Sequence, residues 1–175
     1  MHYFAYWSNM SLSRLRGRVP GAETLGCFTL NHHDLRFHKA GQDGSGKCDA
    51  FLSSDSGSVI YGVLFKIDPL EKSALDKAED LGVGYEEKEV TVTARDGTAV
   101  TATTYVAKKI DKNLKPYSWY VNHVLVGANE ASLPQDYIDS KIISVEAVDD
   151  KDKERDATQR AIHNKKGTEE FNPGP

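Results

Sequence analysis

The chain opens on Tyr3-Phe4-Ala5-Tyr6-Trp7-Ser8-Asn9-Met10, an aromatic and apolar run that breaks into two polar residues ahead of a helix-like stretch. Successive rings favour a buried strand, and Ser8 or Asn9 is a favoured N-cap type before residues 10–16. A first strand running straight into a helix ties both to one core and leaves a short loop at their junction. The first N–H groups of that helix have no intrahelical acceptor, so the loop suits an anion. The same residues also fit an ordinary buried strand with a capped turn.

Downstream of this junction the pattern spells short strands more than long helices. Pro20-Gly21 marks a turn, residues 23–30 have strand composition, and residues 34–39 alternate polar with apolar, with His32 and His33 in the turn between. Residues 59–67 are the most apolar stretch and predict a central strand buried on both faces. Residues 85–94 and 99–107, joined through Asp96-Gly97, predict a hairpin. Helices are predicted over 70–81, opened by Asp68-Pro69 and ended by Gly82, over 118–128, and over 135–142.

In the helix over 70–81, Leu70, Ala74, Leu75, Ala78 and Leu81 share one stripe and Glu79 falls at its border. A carboxylate held there in a partly dry cleft suits acid–base chemistry, while a solvated helix end is the plainer outcome. Tyr117, Trp119 and Tyr120 fit a pocket wall or the core. Beyond residue 148 both charges crowd in and apolar anchors thin out. The expectation there is a frayed helix and a flexible tail, dividing the chain into a domain over 1–148 and a tail over 149–175.

At 175 residues the chain can bury a single core without metal or disulfide staples. A formal charge of −4 with scattered Lys and Arg argues against nucleic acid. Cys27 and Cys48 form no C-x-x-C pair, which fits a reducing compartment. The absence of a leader pattern and of a spanning apolar run leads to the expectation of a cytoplasmic protein without a membrane partner. Gly41, Gly46 and Lys47 have the G-x4-G-K spacing of a phosphate loop, but Cys48 stands where a magnesium-binding hydroxyl belongs and the next residues read as strand. No nucleotide site is predicted. His32, His33 and His38 lack a helical i, i+4 pair or a completing ligand, so no metal is predicted either.

Four pieces now stand in order: residues 3–10, Gly62-Val63-Leu64-Phe65-Lys66-Ile67, Leu75-Asp76-Lys77-Ala78-Glu79, and Gly127-Ala128-Asn129-Glu130-Ala131-Ser132-Leu133-Pro134. Together they resemble the γ-glutamylcyclotransferase family over roughly the first four-fifths of the chain. Leu35-Arg36-Phe37-His38-Lys39 with Gly44-Ser45-Gly46-Lys47 looks like its bacterial branch.

The resemblance implies an α+β fold, a small mixed β-barrel with flanking helices, with no metal or organic cofactor. It implies that Tyr6, Trp7, Ser8 and Asn9 form the substrate-holding loop, usually Tyr-Gly-Ser-Asn, with Trp7 in the glycine position. Tryptophan resists backbone angles and close ligand approach that glycine allows, so loop shape or substrate size is expected to differ. Glu79 matches the family's acid–base glutamate and Tyr120 a pocket tyrosine. The implied partner is a small γ-glutamyl compound, as in glutathione metabolism, whose α-amine attacks its own γ-carbonyl to give 5-oxoproline and an amine or amino acid. Alternatives are a γ-glutamylamine or γ-glutamyl-protected biosynthetic intermediate as substrate, a non-catalytic small-molecule binding protein of the same fold, and an interaction protein using its charged tail.

Overall fold

The computed structural model describes residues 1–163. Seven strands and five helices follow in the order β1 His2–Ala5, α1 Leu12–Arg16, β2 Glu23–Asn31, β3 His33–Ala40, β4 Gly46–Leu52, β5 Val59–Lys66, α2 Lys72–Ala78, β6 Tyr85–Ala94, β7 Ala99–Ala107, α3 Ser118–Glu130, α4 Gln135–Ile138 and α5 Lys153–Ala161. Five strands close a barrel in the order β1-β5-β2-β6-β7. Its seam is the parallel pair β1–β7, with Tyr3 opposite Thr103, while its other pairs are antiparallel. This is the mixed barrel with flanking helices that the resemblance implies.

The opening run does become β1, and Tyr3, Phe4, Ala5 and Tyr6 are fully buried. Strand β5 lies between β1 and β2, and Gly62, Val63, Leu64 and Phe65 are buried on both faces, which explains why they are apolar or small without alternation. The β6–β7 pair forms the expected hairpin. Its turn is held by Ala94 N–H donating to Thr98 O at 2.8 Å, with Gly97 at φ 89°. Strands β3 and β4 form a separate two-stranded sheet. His32 alone makes the break from β2, at φ 59°, and His33 already belongs to β3.

The helices depart further from expectation. Residues 69–71 form a 3-10 turn, capped by Asp68 Oδ1 accepting from Leu70 N–H at 2.9 Å, before α2 begins. The tighter turn rotates Leu70 off the stripe. Leu70 is 86% exposed, and Leu75 is the stripe residue that is fully buried. Helix α3 runs through Gly127 to Glu130, beyond the predicted end, and a π-type turn over Asp139–Ile143 extends α4.

The charged segment expected to fray forms α5, packed near α3. Asp150 has no exposed surface and accepts from Trp119 Nε1 at 2.8 Å and from Arg155 Nε and Nη2 at 2.6 and 2.7 Å. The rest of the expected tail, 164–175, lies outside the described residues. No helix among the described residues is long and apolar enough to cross a membrane.

Candidate active site

The junction of β1 and α1 is a 3-10 turn over Ser8–Met10, closed by Met10 N–H donating to Trp7 O at 2.8 Å. Trp7 has φ −129°, on the side that any L residue adopts, so the loop does not require glycine here. Its indole is 1% exposed, stacked on Tyr85 at 5.3 Å and edge-on to Tyr6 at 4.2 Å. The loop is pressed from behind by α3. A Cβ on Gly127 would stand 2.5 Å from Ser11 N and 2.7 Å from Met10 Cβ, so only glycine lets the helix approach so closely.

Glu79 arrives from the other side. It is the C-cap of α2, its N–H donating to Leu75 O at 2.9 Å, and Asp80 at φ 54° then turns the chain away. Only 6% exposed, Glu79 is anchored through Oε1, which accepts from Arg18 Nη1 at 2.6 Å and Asn9 Nδ2 at 2.8 Å. Arg18 Nη1 also donates to Asn9 Oδ1 at 2.8 Å, and Asn9 Nδ2 to the Tyr3 hydroxyl at 3.0 Å. Two side chains, Asn9 of the loop and Arg18 from just past α1, thus converge on one carboxylate oxygen, and Tyr3 of β1 backs Asn9. Oε2 takes no hydrogen bond from the described residues.

Glu79 lines a cleft of about 350 Å³ together with Trp7, Ser8 and Tyr120. Tyr6 and Asn9 stand behind it. The Tyr6 hydroxyl donates to Tyr105 O at 2.7 Å and accepts from Ala50 N–H at 2.8 Å, bridging β7 and β4, while Asn9 acts on the cleft through Glu79. The Tyr120 hydroxyl accepts from Cys48 N–H at 3.1 Å. Burial pushes the phenols of Tyr3, Tyr85 and Tyr120 well above their ordinary range, so they remain hydrogen-bond donors at neutral pH.

The opposite wall comes from the β3–β4 hairpin. Lys47, the lysine of the phosphate-loop-like spacing, is held by Asp43 Oδ2 and Ser45 Oγ, each at 2.7 Å, and lies over the rings of Trp119 and Tyr120 at 4.6 and 4.7 Å. Its ammonium is already engaged by Asp43 and Ser45, and β4 continues as strand where a phosphate loop needs a helix. The histidines have separate partners: the His33 Nδ1 ring nitrogen lies 2.8 Å from Asn31 O, and His38 Nε2 lies 2.8 Å from Asp49 Oδ2.

Sequence reasoning missed Arg18 and Arg14. Both line the cleft. Arg14 lies on α1 and Arg18 in the turn beyond its end, so no helical periodicity marks them as a pair. Arg14 Nη1 donates to Gln159 Oε1 at 3.2 Å, and burial, then Arg18, lowers the Arg14 guanidinium to about 10. The arrangement offers a positioned carboxylate whose Oε2 takes no hydrogen bond from the described residues, and a wall more cationic than anionic. That combination suits proton transfer on a small anionic amide.

Residues 59–140 match the AIG2-like family. The chain is 31% identical over 156 residues to a protein of Bos taurus named γ-glutamylcyclotransferase, covering 86% of this chain and 81% of the bovine one. A solved structure named γ-glutamyl cyclotransferase superposes with TM-score 0.83 at 26% identity, covering 94% of this chain and 98% of that one. An uncharacterised protein of Homo sapiens superposes with TM-score 0.78 at 28% identity, covering 85% and 89%.

Proposed function

The chain belongs to the γ-glutamylcyclotransferase family, and on that premise we propose that it cyclises a γ-glutamyl amide, releasing 5-oxoproline and an amine or amino acid. The observation that carries this reading is Glu79, buried in the cleft with Oε1 clamped by Arg18 and Asn9 and Oε2 left open, beside the loop that follows β1.

The α-amine nitrogen of the substrate attacks its own γ-carbonyl carbon, and the five-membered lactam forms as the bond to the departing nitrogen breaks. The attack is intramolecular, so the protein needs no nucleophile and supplies near-attack geometry. Of the three α-ammonium protons, one stays on the lactam nitrogen and two finish on the departing nitrogen. Glu79 Oε2 carries protons between the two nitrogens, while Arg18 and Asn9 keep the carboxylate from turning.

Backbone N–H groups of Tyr6, Trp7, Ser8 and Asn9 hold the substrate or the oxyanion that develops on the γ-carbonyl oxygen. Trp7 and Tyr120 wall the cleft, which limits water and strengthens each polar contact inside it.

The test is a panel of γ-glutamyl amino acids, glutathione and γ-glutamylamines, with 5-oxoproline quantified by mass spectrometry. Release from at least one compound is expected. Binding of these compounds without release from any would overturn the reading in favour of a binding protein.

A further inference from the structure

One residue of the glycine-rich hairpin is left unused by the proposed chemistry. Lys39 lies near the end of β3, is 5% exposed, and lines the cleft with its Nζ 4.6 Å from the centre of the Tyr85 ring. The other buried or half-buried cations there are committed: Arg18 to Glu79 and Asn9, Lys47 to Asp43 and Ser45, Arg14 to Gln159. Lys39 Nζ makes no hydrogen bond and has no carboxylate oxygen within 4.0 Å among the described residues. Asp80, Glu79 and Asp43 act on it only through space, and burial pulls the ammonium below its ordinary pKa.

The backbone is arranged to put that charge there. The β3–β4 register shifts between Arg36 and Lys39, a bulge of the kind that re-aims a side chain beside a site. Beyond it Lys39 sits directly opposite Lys47, and like charges across a strand pair disfavour the sheet. Two cations on one wall, one of them without a paired carboxylate among the described residues, fit a ligand that brings a negative group of its own.

Resting on the cyclotransferase reading, the part of the substrate that meets Lys39 can be assigned. The reacting amine must lie at Glu79 and the reacting carbonyl at the loop, with Arg14 on the helix that comes after it and Arg18 in the turn that ends it. Lys39 stands on the hairpin wall, and with Arg14 and Arg18 left to the glutamyl end, the portion beyond the bond that breaks falls to it. We infer that Lys39 is a specificity residue that reads the charge of the departing group, its ammonium taking a carboxylate carried by the leaving amine.

γ-Glutamylalanine and γ-glutamylethylamide break the same bond and differ only in that carboxylate. The readout is the ratio of their kcat/KM values, alanine compound over ethylamide. Lys39→Met, which keeps the stem against Tyr85, is expected to lower the ratio by about tenfold to a hundredfold, the size of one lost charge-assisted hydrogen bond. Lys39→Arg retains most of the preference and Lys39→Glu lowers the ratio further. An unchanged ratio in Lys39→Met, whether both substrates slow equally or neither does, would overturn the inference.

Dissociation constants of the same two compounds, measured by calorimetry in a Glu79→Gln background with and without Lys39→Met, separate this from the reading it rests on. A Lys39-dependent difference in binding, with no 5-oxoproline from the wild type, leaves the anion subsite standing and removes the reaction. Turnover of both compounds with no response of either ratio to Lys39 does the reverse.

Discussion

Trp7→Gly restores the residue usual in the family's loop, and the structure predicts that it costs this protein heavily. The side chain is 1% exposed and packed on Tyr85, Tyr6 and Tyr105. A ring system buried to that degree removes on the order of 200 Å² from water, worth about 5 kcal/mol. The indole N–H is buried without a hydrogen-bond partner among the described residues, so losing it returns about 1 kcal/mol, and glycine's freedom in the unfolded chain costs about as much again. The net loss is about 5 kcal/mol, a large share of the 5–15 kcal/mol by which domains are stable. Urea unfolding at equilibrium is the assay, and the midpoint should fall by about 2 M for a typical slope. Trp7→Phe keeps a stacked ring and removes the orphaned N–H, so it should stay within about 1 kcal/mol of wild type. A loss under about 1 kcal/mol for Trp7→Gly would refute the account, because it would mean that the loop is held by its backbone and not by the indole.

The packing around the cleft sets two further outcomes. Helix propensity alone makes Gly127→Ala stabilising by about 1 kcal/mol, whereas the 2.5 Å approach to Ser11 N makes it destabilising by about 1–3 kcal/mol and displaces the loop that carries Asn9; the sign of the shift in a thermal melt, read beside 5-oxoproline release, decides. His123 has no exposed surface, its Nδ1 lies 2.6 Å from His163 Nε2, and burial followed by the Arg14 charge lowers its pKa to about 3. The unfolded chain therefore takes a proton near pH 6.5 that the folded one refuses, so this contribution is full above that pH and falls away below it, by about 2 kcal/mol between pH 7 and 5. Urea unfolding across that interval should show a steeper slope in wild type than in His123→Gln, which keeps the smaller contribution of His33, also lowered by burial, and equal slopes would contradict it.

Strand positions were readable because each strand declares itself locally. Residues 85–94 and 99–107 alternate around an Asp-Gly turn, and residues 59–67 carry too few polar side chains to face water. The separation of β3–β4 from the barrel was not readable, since it hangs on one positive φ at His32. Nor was the exposure of Leu70, which results from a 3-10 turn that the Asp68-Pro69 cap permits as readily as an α-helix.

At the candidate site, Trp7, Ser8, Asn9, Glu79 and Tyr120 stand out through the family likeness, and the structure places them in or directly behind one cleft. Arg18 reads in sequence as a turn residue because its role appears only when the end of α1 meets the end of α2, a contact spanning 61 positions. The docking of α5 is hidden for a similar reason. A segment dense in charge looks solvated until Asp150 is seen buried beneath Trp119 and Arg155.

The central claim is that Glu79 moves the protons of the cyclisation while the rest of the cleft holds the substrate. Glu79→Gln keeps the side-chain oxygen that accepts from Arg18 and Asn9 and removes the exchangeable carboxylate. Measured on a compound that the wild type turns over, the account predicts that 5-oxoproline release falls by at least about a hundredfold, with the dissociation constant of that compound changed by less than about tenfold. Release within a few-fold of wild type from a folded Glu79→Gln protein would contradict it.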